Sequence, residues 1–533
     1  MSEFSDQCLA HYPFAQLKMP CGWQRLSLGD IGCEVTPGFA SGAHTSDGVG
    51  FAHLRPMNVD RDGKINLDVV KSVSATGGVE LAAGDVLFNN TNSPELVGKT
   101  AVVSVREAGS AYSNHMTRIR PPRGASSAYL AHQLHFLWMT GYMKRRCTNH
   151  VNQASLSSKT LADTVPLLVA PGAEQVRIVD KLEELLSDLD AGVAELKAAQ
   201  KKLAQYRQSL LKAAVEGRLT EAWRAQRGEH EESGAQLLAR ILRERRARWE
   251  AKQLAKFEAQ GKAPPKGWEG KYPEPVAPDT TGLQELPQGW VWASLDTLGQ
   301  IASGVAKGTK RDERIAVREV PYLRVANVQR GYLDLAEVKT ILATERDIEE
   351  LTLQGGDVLF NEGGDRDKLG RGWVWRNEVA TSIHPNHVFR MRPSLDELKP
   401  ELISHHGNTF GRLWFQTAGK QTTNLASINM GMLREFPVPL APAAEQAEIL
   451  SQLEVRLVAL SDQNASIDRA LRQSAAQRKS ILQAAFSGQL VPQDPNDEPA
   501  GVLLARIRAD RAAREKDGAH ARCARPRRVG NPA

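Results

Sequence analysis

The most regular feature of the chain is a heptad pattern of apolar residues that occurs twice, after Pro171 and after Pro442. Apolar residues at both seam positions over several heptads predict a coiled coil. A proline at each start and a glycine at each end, Gly217 and Gly488, fit helix boundaries. The apolar seam positions are Val179, Leu182, Leu186, Leu189, Val193, Leu196, Leu203 and Leu210 in the first segment and Leu450, Leu453, Leu457, Leu460, Ile467, Leu471 and Ile481 in the second.

Because the two predicted helices have matched lengths, they most simply pack against each other. The order domain, helix, domain, helix favours an antiparallel pair, which places the globular domains at opposite ends with pseudo-twofold symmetry. A parallel pair is an alternative, since residues 218–286 are long enough to run back along the coil. A second alternative is that each helix packs on its own globular domain as an ordinary amphipathic helix.

Outside the helices, the pattern predicts mixed α/β domains. Gly-Asp followed by Val-Leu-Phe indicates a turn into a short buried strand, at Gly84 and again at Gly356. The predicted fold is two α/β (α+β) domains that alternate with two long α-helices in an antiparallel coiled coil. The predicted boundaries are a first globular domain over 1–168, a long helix and a charged helix over 169–265, a proline-rich linker over 266–285, a second globular domain over 286–439, a second long helix and a distal helix over 440–518, and a basic tail over 519–533 that is expected to be disordered.

The second half of the chain repeats the first. Gly84–Asn89 returns unchanged at Gly356–Asn361, 272 positions later, and further matches keep nearly the same offset. A period of this length is far too long for a solenoid and indicates a duplicated domain with its connector. The repeat also includes Leu-Leu-Ala-Arg-Ile at 237–241 and 503–507, which suits either a partner-docking surface or intramolecular packing.

The loops differ where the strands match. Between Asn89 and Lys99 in the first copy, and between Asn361 and Arg371 in the second, the polar residues are almost completely different. A common frame with divergent polar loops is what two readers of different base sequences need, although solvated turns also favour such residues.

Asparagine and arginine pair with adenine and guanine edges, acidic groups accept from cytosine, and lysines can contact phosphates. The candidate DNA-binding residues are Arg55, Asn58, Asn89, Asn90, Thr91, Asn92, Ser93, Lys99, Lys144, Arg145 and Arg146 in the first copy and Arg324, Asn327, Asn361, Glu362, Asp365, Arg366, Lys368, Arg371 and Lys420 in the second.

Composition adds little to this interpretation. The net charge of +6 is mildly suggestive of a polyanionic partner. No apolar run approaches the roughly 20 residues of a membrane span, and no secretory leader is recognisable, so a cytoplasmic location is expected. The five cysteines lack C-x-x-C spacing and are expected to be reduced thiols.

Motifs for catalysis are missing from the sequence. Gly98-Lys99-Thr100 resembles the end of a phosphate-binding loop, but Ser93 stands where that loop needs a glycine. Dinucleotide-binding, zinc-protease and amino-group DNA methylation motifs are also missing. We therefore expect a chain without catalytic residues, metal or cofactor of its own.

The combination of motifs resembles the DNA-specificity subunit of a Type I restriction–modification enzyme, over nearly the whole chain. The residues that carry the resemblance are the Pro-x-Gly-Trp segments, the Gly-Asp-Val-Leu-Phe-Asn strands, the Asn-Gln-Ala-Ser-Leu and Asn-Leu-Ala-Ser-Ile segments, the two Ala-Glu-Gln helix starts and Ser209–Ala214. The resemblance implies that each globular domain is a target recognition domain, which reads one half of a bipartite DNA site. It also implies that the helices act as a ruler and dock methyltransferase subunits.

By the same resemblance, a separate restriction/translocase subunit would cleave DNA, and S-adenosylmethionine, ATP and Mg would belong to the partner subunits. The expected partners are double-stranded DNA, two methyltransferase subunits and restriction subunits, with no membrane. The competing hypothesis is a coiled-coil protein-interaction scaffold that does not bind DNA sequence-specifically.

Overall fold

The structure, a computed structural model, describes residues 4–45, 49–227, 232–306, 316–364, 368–418, 420–421 and 426–523. The chain divides into two compact units, each built from parts of both halves of the sequence. Unit 1 comprises Met1–Lys197 and Asp468–Ala533, and unit 2 comprises Ala198–Ile467. Within the described ranges, no helix has both the length and the apolar character needed to cross a bilayer.

Unit 1 begins with a mixed α/β region. Its strands are β1 (Gln24–Leu26), β2 (Glu34–Pro37), β3 (Phe51–Leu54), β4 (Lys71–Val73), β5 (Val86–Asn89), β6 (Thr91–Asn92), β7 (Thr100–Val102), β8 (Ala111–Tyr112), β9 (Met116–Arg120), β10 (Thr148–Asn149), β11 (Ala154–Ser155) and β12 (Leu167–Val169). Its helices are α1 (Asp6–Leu9), α2 (Leu28–Ile31), α3 (Ser127–Met139), α4 (Tyr142–Arg146) and α5 (Ser158–Thr164), with a 3-10 turn at Pro56–Asn58. The long helix α6 (Gly172–Val215) starts here and ends in unit 2.

Unit 2 has the same kind of region, preceded by two further helices. Its helices are α7 (Glu221–Arg227), α8 (Gly234–Ala259), α9 (Leu295–Leu298), α10 (Glu345–Leu351), α11 (Pro400–Asn408), α12 (Phe410–Ala418) and α13 (Met430–Glu435), with a 3-10 turn at Trp268–Lys271. Its strands are β13 (Val291–Ser294), β14 (Gly299–Ala302), β15 (Val317–Tyr322), β16 (Val328–Gln329), β17 (Tyr332–Leu333), β18 (Lys339–Thr344), β19 (Val358–Asn361), β20 (Gly363–Gly364), β21 (Gly372–Val374), β22 (Val388–Pro393), β23 (Lys420–Gln421), β24 (Ala426–Ser427) and β25 (Pro437–Leu440). The second long helix, α14 (Ala443–Phe486), starts here and ends in unit 1, where α15 (Ala500–Cys523) follows.

The central sheets of the two units have the same topology. The strand order is β2-β9-β5-β7 in unit 1 and β14-β22-β19-β21 in unit 2, and the neighbours are antiparallel in both. The Val-Leu-Phe-Asn strands β5 and β19 are fully buried. The predicted buried strands and mixed α/β content are therefore confirmed.

The Gly-Asp turn before each of these strands is held by the same ion pair. Asp85 accepts both guanidinium hydrogen bonds of Arg120 at 2.7 Å, and Asp357 accepts those of Arg392 at the same distance. The glycine before each aspartate has a positive φ, 87° at Gly84 and 93° in the second copy, which only glycine adopts easily. These turns belong to the duplicated frame.

The long helices have 44 residues each, about 65 Å of helix at 1.5 Å per residue. Every apolar seam position predicted from the heptads is buried or half-buried. In unit 1, Arg177 near the start of α6 pairs with Asp497 after α14, and Asp190 further along α6 pairs with Arg478 of α14. This order is antiparallel. In unit 2, Leu210 of the later part of α6 joins a cluster with apolar residues from the early part of α14.

The predicted helix ends at Gly217 and Gly488 are confirmed, with φ of 71° and 73°. A Cβ on either glycine would lie 2.7 Å from a proline Cγ, that of Pro287 in unit 2 and that of Pro20 in unit 1. Each Pro-x-Gly-Trp segment therefore packs directly on the end of a long helix.

A tryptophan–glutamate contact ties each Pro-x-Gly-Trp segment to the first turn of a long helix. Trp23 Nε1 donates to Glu174, and Trp290 Nε1 donates to Glu445, both at 2.9 Å. Both carboxylates are buried. Because they also lie at the positive end of the helix dipole, their position is favourable electrostatically.

Residues 268–276 of the predicted proline-rich linker fold back along α8. Trp268 is 9% exposed and stacks on Trp249 with 5.7 Å between ring centroids. Tyr272 also contacts Trp249, and Val276 N donates to Asp296 at 3.0 Å. The segment is thus an ordered strap within unit 2.

The repeated Leu-Leu-Ala-Arg-Ile segments pack inside the chain. Leu237 and Ile241 are fully buried in the unit 2 core, and Leu504 of unit 1 is 2% exposed in the core of its own unit. Of the two interpretations of these segments, intramolecular packing accounts for the buried apolar residues.

Candidate nucleic-acid interface

The Arg-x-x-Asn turn in the first copy is held together by its asparagine. Asn58 Oδ1 accepts from the backbone N–H of Arg55 at 2.9 Å. Its Nδ2 donates to the carbonyls of Asn66 at 2.9 Å and Val69 at 3.0 Å. The side chain is 1% exposed and its amide group is fully engaged. Asn58 therefore shapes the turn and does not present an edge to DNA.

The second copy repeats this arrangement. Asn327, 3% exposed, accepts from Arg324 N at 2.9 Å and donates to the carbonyls of Asp334 at 2.8 Å and Glu337 at 2.9 Å. The two arginines are half-buried, and the Arg324 guanidinium donates to the Glu337 carboxylate at 3.3 Å. In both copies, the asparagine side chain therefore fixes the backbone of the turn.

In unit 1, the buried side chain of Lys99 links this turn to the loop between Asn89 and Lys99, the predicted base-reading loop. Lys99 is 6% exposed, and its ammonium donates to the carbonyls of Pro56, at 3.2 Å, and Val59. Burial lowers the pKa of Lys99. Asn89, fully buried, donates from Nδ2 to Leu96 O at 3.0 Å and so fixes the far end of the loop.

In unit 2, two residues at the corresponding positions, Asn361 and Arg371, both hydrogen-bond to carbonyls of the turn. Asn361 Nδ2 donates to Val328 O at 2.9 Å, and the Arg371 guanidinium donates to Val325 O at 3.2 Å. The expectation that asparagines 58, 89, 327 and 361 and Lys99 contact DNA is corrected here, because these side chains are buried and bound to the chain's own carbonyls.

The loop that follows Asn89 carries a graded series of polar residues. Asn90 is 6% exposed and donates to Thr117 Oγ1 at 2.8 Å, and Thr91 in turn donates to Asn90 Oδ1 at 2.7 Å. Asn92 and Ser93 are half-buried, with Asn92 Oδ1 accepting from Ser93 N at 2.8 Å. Solvent access therefore increases away from the strand.

The cations after α3 have different roles. Lys144 is exposed and pairs with Glu95 at 2.8 Å, while Trp138 Nε1 donates to the Glu95 carbonyl at 2.8 Å, so the loop is anchored from α3 and α4. Arg145 is exposed. Arg146 instead donates to Gln7 O at 3.0 Å and Thr164 Oγ1 at 2.8 Å. Arg146 thus has a structural role, and its contact with a phosphate stays a prediction.

In the second copy the loop begins at Glu362, whose carboxylate lies 2.6 Å from His387 Nδ1. Lys368 is half-buried at the other end of the loop. The candidate residues Asp365 and Arg366 lie outside the described residues, as does the side chain of Lys420.

A hairpin that the sequence did not single out lies beside the first loop. Strands β10 and β11 pair with each other, and β11 pairs with β6, which places residues 148–155 next to residues 91–92. In unit 2, β23 pairs with β24 and β24 pairs with β20, which is the same order. The repeated Asn-Gln-Ala-Ser and Asn-Leu-Ala-Ser segments were the available signal, because part of the hairpin lies within them.

The structure thus brings the outer part of the loop, residues 92–95, together with Lys144 and the hairpin at 148–155 in unit 1. The neighbouring turn, which contains Arg55 and Asn58, is joined to this loop by the hydrogen bonds of the Lys99 ammonium. The arrangement offers amide, hydroxyl and ammonium groups on pre-formed loops. Such a surface suits recognition of a polar, anionic ligand.

Comparison with known proteins shows that the chain is similar to Type I restriction-enzyme specificity subunits. The specificity subunit of the Type I restriction enzyme EcoKI from Escherichia coli K12 is 24% identical over 410 residues, 74% of each chain. That of StySPI from Salmonella potsdam is 22% identical over 440 residues, 80% of this chain and 81% of the relative. The predicted resemblance to Type I specificity subunits is confirmed.

The fold agrees with that resemblance to Type I specificity subunits. A solved chain from a study of complex assembly and conformational transition of the type I R-M system aligns with a TM-score of 0.58 at 17% identity, over 89% of this chain and all of that one. No family model matches the chain. The two chains therefore share a fold, which in this chain has mixed α/β content and two long helices.

Proposed function

We propose that the chain is the non-catalytic DNA-specificity subunit of a Type I restriction–modification complex and reads a bipartite, asymmetric target. One observation carries the proposal: the same buried frame occurs in both units, yet it presents different polar loops. The Asp–Arg pair, the Arg-x-x-Asn turn and the three-stranded loop sheet are duplicated, whereas 90–96 and 362–368 are dissimilar. Duplication of the support without duplication of the loops suits two readers of different sequences.

The regions 1–168 and 286–439 are the proposed target recognition domains. The first reading surface consists of residues 92–95, Lys144, Arg145 and the hairpin at 148–155. Its exposed residues are the proposed DNA contacts, with Lys144 and Arg145 on phosphates and the loop and hairpin on bases. In the second, Glu362 is the proposed acceptor for a base amino group. Buried frame residues hold these groups in place.

The long helices are the proposed spacer, as a continuous antiparallel coiled coil with the two recognition domains related by a pseudo-twofold axis. The seam positions, all buried or half-buried, support this, as does the antiparallel order of the ion pairs within unit 1. Polar seam residues such as Arg478, held by Asp190, would fix the register of the pair.

The proposed partners are double-stranded DNA, two methyltransferase subunits and restriction subunits, in the cytoplasm. The two like copies offer two similar docking surfaces, which favours two methyltransferases per chain. S-adenosylmethionine, ATP and Mg would then act in the partner subunits. Native mass measurement of the complex at saturating methyltransferase tests this, and one methyltransferase per chain would contradict it.

The function itself is tested by selection of bound duplexes from random DNA with the chain and its cognate methyltransferase. The proposal predicts two separated, dissimilar sequence elements with a fixed spacer. An interaction scaffold without sequence-specific binding would give no enriched element, and that result would overturn the proposal.

A further inference from the structure

The hairpin of β10 and β11 in unit 1 is short and firmly closed. Thr148 pairs with Ser155 and Asn149 with Ala154, and the N–H of His150 donates to Gln153 O at 2.7 Å. The His150 ring is fixed as well, since its Nε2 lies 3.0 Å from Ser155 Oγ. The two residues beyond this closure, 151 and 152, form the tip.

The tip exposes an apolar side chain to solvent. Val151 is 99% exposed, the highest value among the exposed large apolar residues of the described chain. Its neighbours Asn149, Asn152 and Gln153 are exposed too. The apolar surface of this valine, at the tip of a hydrogen-bonded hairpin, is thus available for burial against a ligand.

The tip stands over a cleft of about 340 Å³ that separates it from the first reading loop. Pro94 and Lys144 line the loop side, and residues 149–153 line the hairpin side. Lys144 is held by Glu95, and the loop is fixed by Trp138, so the walls of the cleft are pre-formed. The cleft therefore joins a cation with exposed amides and a methyl-bearing side chain.

We infer that this hairpin enters the major groove and reads an A·T pair within the half-site of the first recognition domain. The inference rests on the proposed function. A two-stranded ribbon fits the major groove, asparagine or glutamine pairs bidentately with adenine N6 and N7, and an apolar side chain contacts the thymine methyl group. Asn152 at the tip supplies the amide and Val151 the apolar contact. Lys144, across the cleft, binds the adjacent phosphate.

The composition of the hairpin favours A·T over G·C. Guanine is read most often by arginine or lysine, and residues 148–155 contain neither. The one titratable side chain, His150, is turned back towards Ser155. An acidic group that could accept from cytosine N4 is also missing from residues 148–155.

The test compares Val151→Ala, Asn152→Ala and the double variant with Val105→Ala in complexes with the cognate methyltransferase. Val105 is the matched control, because it is an 83% exposed valine of unit 1 outside the reading surface. The readout is the base preference at each target position, from sequencing of methylated genomic DNA and from selection of bound duplexes. Co-elution with the methyltransferase checks folding.

We expect the tip variants to lose discrimination at one or two A·T positions of a single half-site, by about 5- to 150-fold for a lost bidentate contact. The Val105→Ala complex keeps the wild-type motif. An unchanged motif in the double variant, a uniform loss of methylation with the motif intact, or a relaxed G·C position would overturn the inference while the proposed function stands. If the wild-type complex itself selects no motif, the proposed function fails instead.

Discussion

The paired tryptophan–glutamate contacts predict that one substitution has unequal effects in the two units. In unit 2 the Glu445 side chain is fully buried. It accepts from Trp290 Nε1 at 2.9 Å, from Thr220 Oγ1 at 2.7 Å and from the guanidinium of Arg224. Three donors from different segments thus converge on one carboxylate.

Glu445→Gln leaves one acceptor oxygen for these three donors and places an amide donor among them. At least one donor loses its acceptor, and Arg224 loses its counter-charge. Breaking a buried ion pair costs about 3–5 kcal/mol. Because the Arg224 side chain keeps 16% exposure, we expect about 3 kcal/mol, near the lower limit of that range.

Glu174→Gln in unit 1 is the matched control. Glu174 accepts from Trp23 at 2.9 Å, while Arg177, one turn later, is paired with Asp497. A glutamine oxygen can accept the same indole hydrogen bond. Burial raises the pKa of Glu174, so the charged form is disfavoured and a neutral side chain costs little. We expect about 1 kcal/mol or less.

Urea unfolding of the complete chain measures both losses, and hydrogen exchange assigns them to a unit. Glu445→Gln should increase exchange at the first turn of α14 and around Thr220, with the unit 1 contact unchanged. Equal losses for the two variants, or a larger loss for Glu174→Gln, would refute the reasoning that the ion pair makes the unit 2 contact stronger.

Three further predictions follow from the helices and the buried histidines. Leu453→Asp, at a 1% exposed seam position, should lower the free energy of unfolding in urea by more than about 3 kcal/mol. Val455→Asp on the same helix, at a 69% exposed position, should change it by less than about 0.5 kcal/mol. Similar losses for the two variants would contradict the assignment of Leu453 to the buried seam. Seven residues inserted in phase into both long helices should lengthen the DNA spacer by about three base pairs, at 1.5 Å per residue and 3.4 Å per base pair, and an unchanged spacer would show that spacing is set elsewhere. Burial lowers the pKa of five histidines to about 4 from an ordinary 6.5, so they are neutral in the folded chain above that pH. Their contribution to stability is therefore fully present above pH 6.5 and declines as the pH falls towards 4, by about 2 kcal/mol per histidine at pH 5. Equal urea midpoints at pH 7.5 and pH 5 would contradict this prediction. The five are His132, His135, His384, His405 and His406.

The helices and the duplicated frame could be predicted because their signals are local. A heptad seam uses one residue type at fixed spacing, and glycines such as Gly217 end a helix through their own backbone. The burial of the seam and the antiparallel order in unit 1 agree with the pattern. Because the chain is duplicated, its two copies can be compared: residues that match belong to the supporting frame, and residues that differ belong to the loops.

The roles of individual polar residues could not be predicted, because their partners are set by the tertiary fold. Asn58 and Asn89 have the composition of exposed turns, yet their acceptors are carbonyls up to eleven residues away. Lys99 reaches carbonyls some forty residues back in the chain. The strap was also missed, because prolines signal a linker while Trp268 stacks on a tryptophan of the preceding helix.

The most direct test of the two-reader account is an exchange of the loops between the duplicated frames. Residues 90–96 are replaced by the residues found at 362–368, which have the same length, and the chain is expressed with its cognate methyltransferase. Sequencing of methylated genomic DNA then gives the recognised motif. The account predicts that one half-site changes and the other keeps its wild-type sequence. A motif altered in both halves, or in neither, would contradict it.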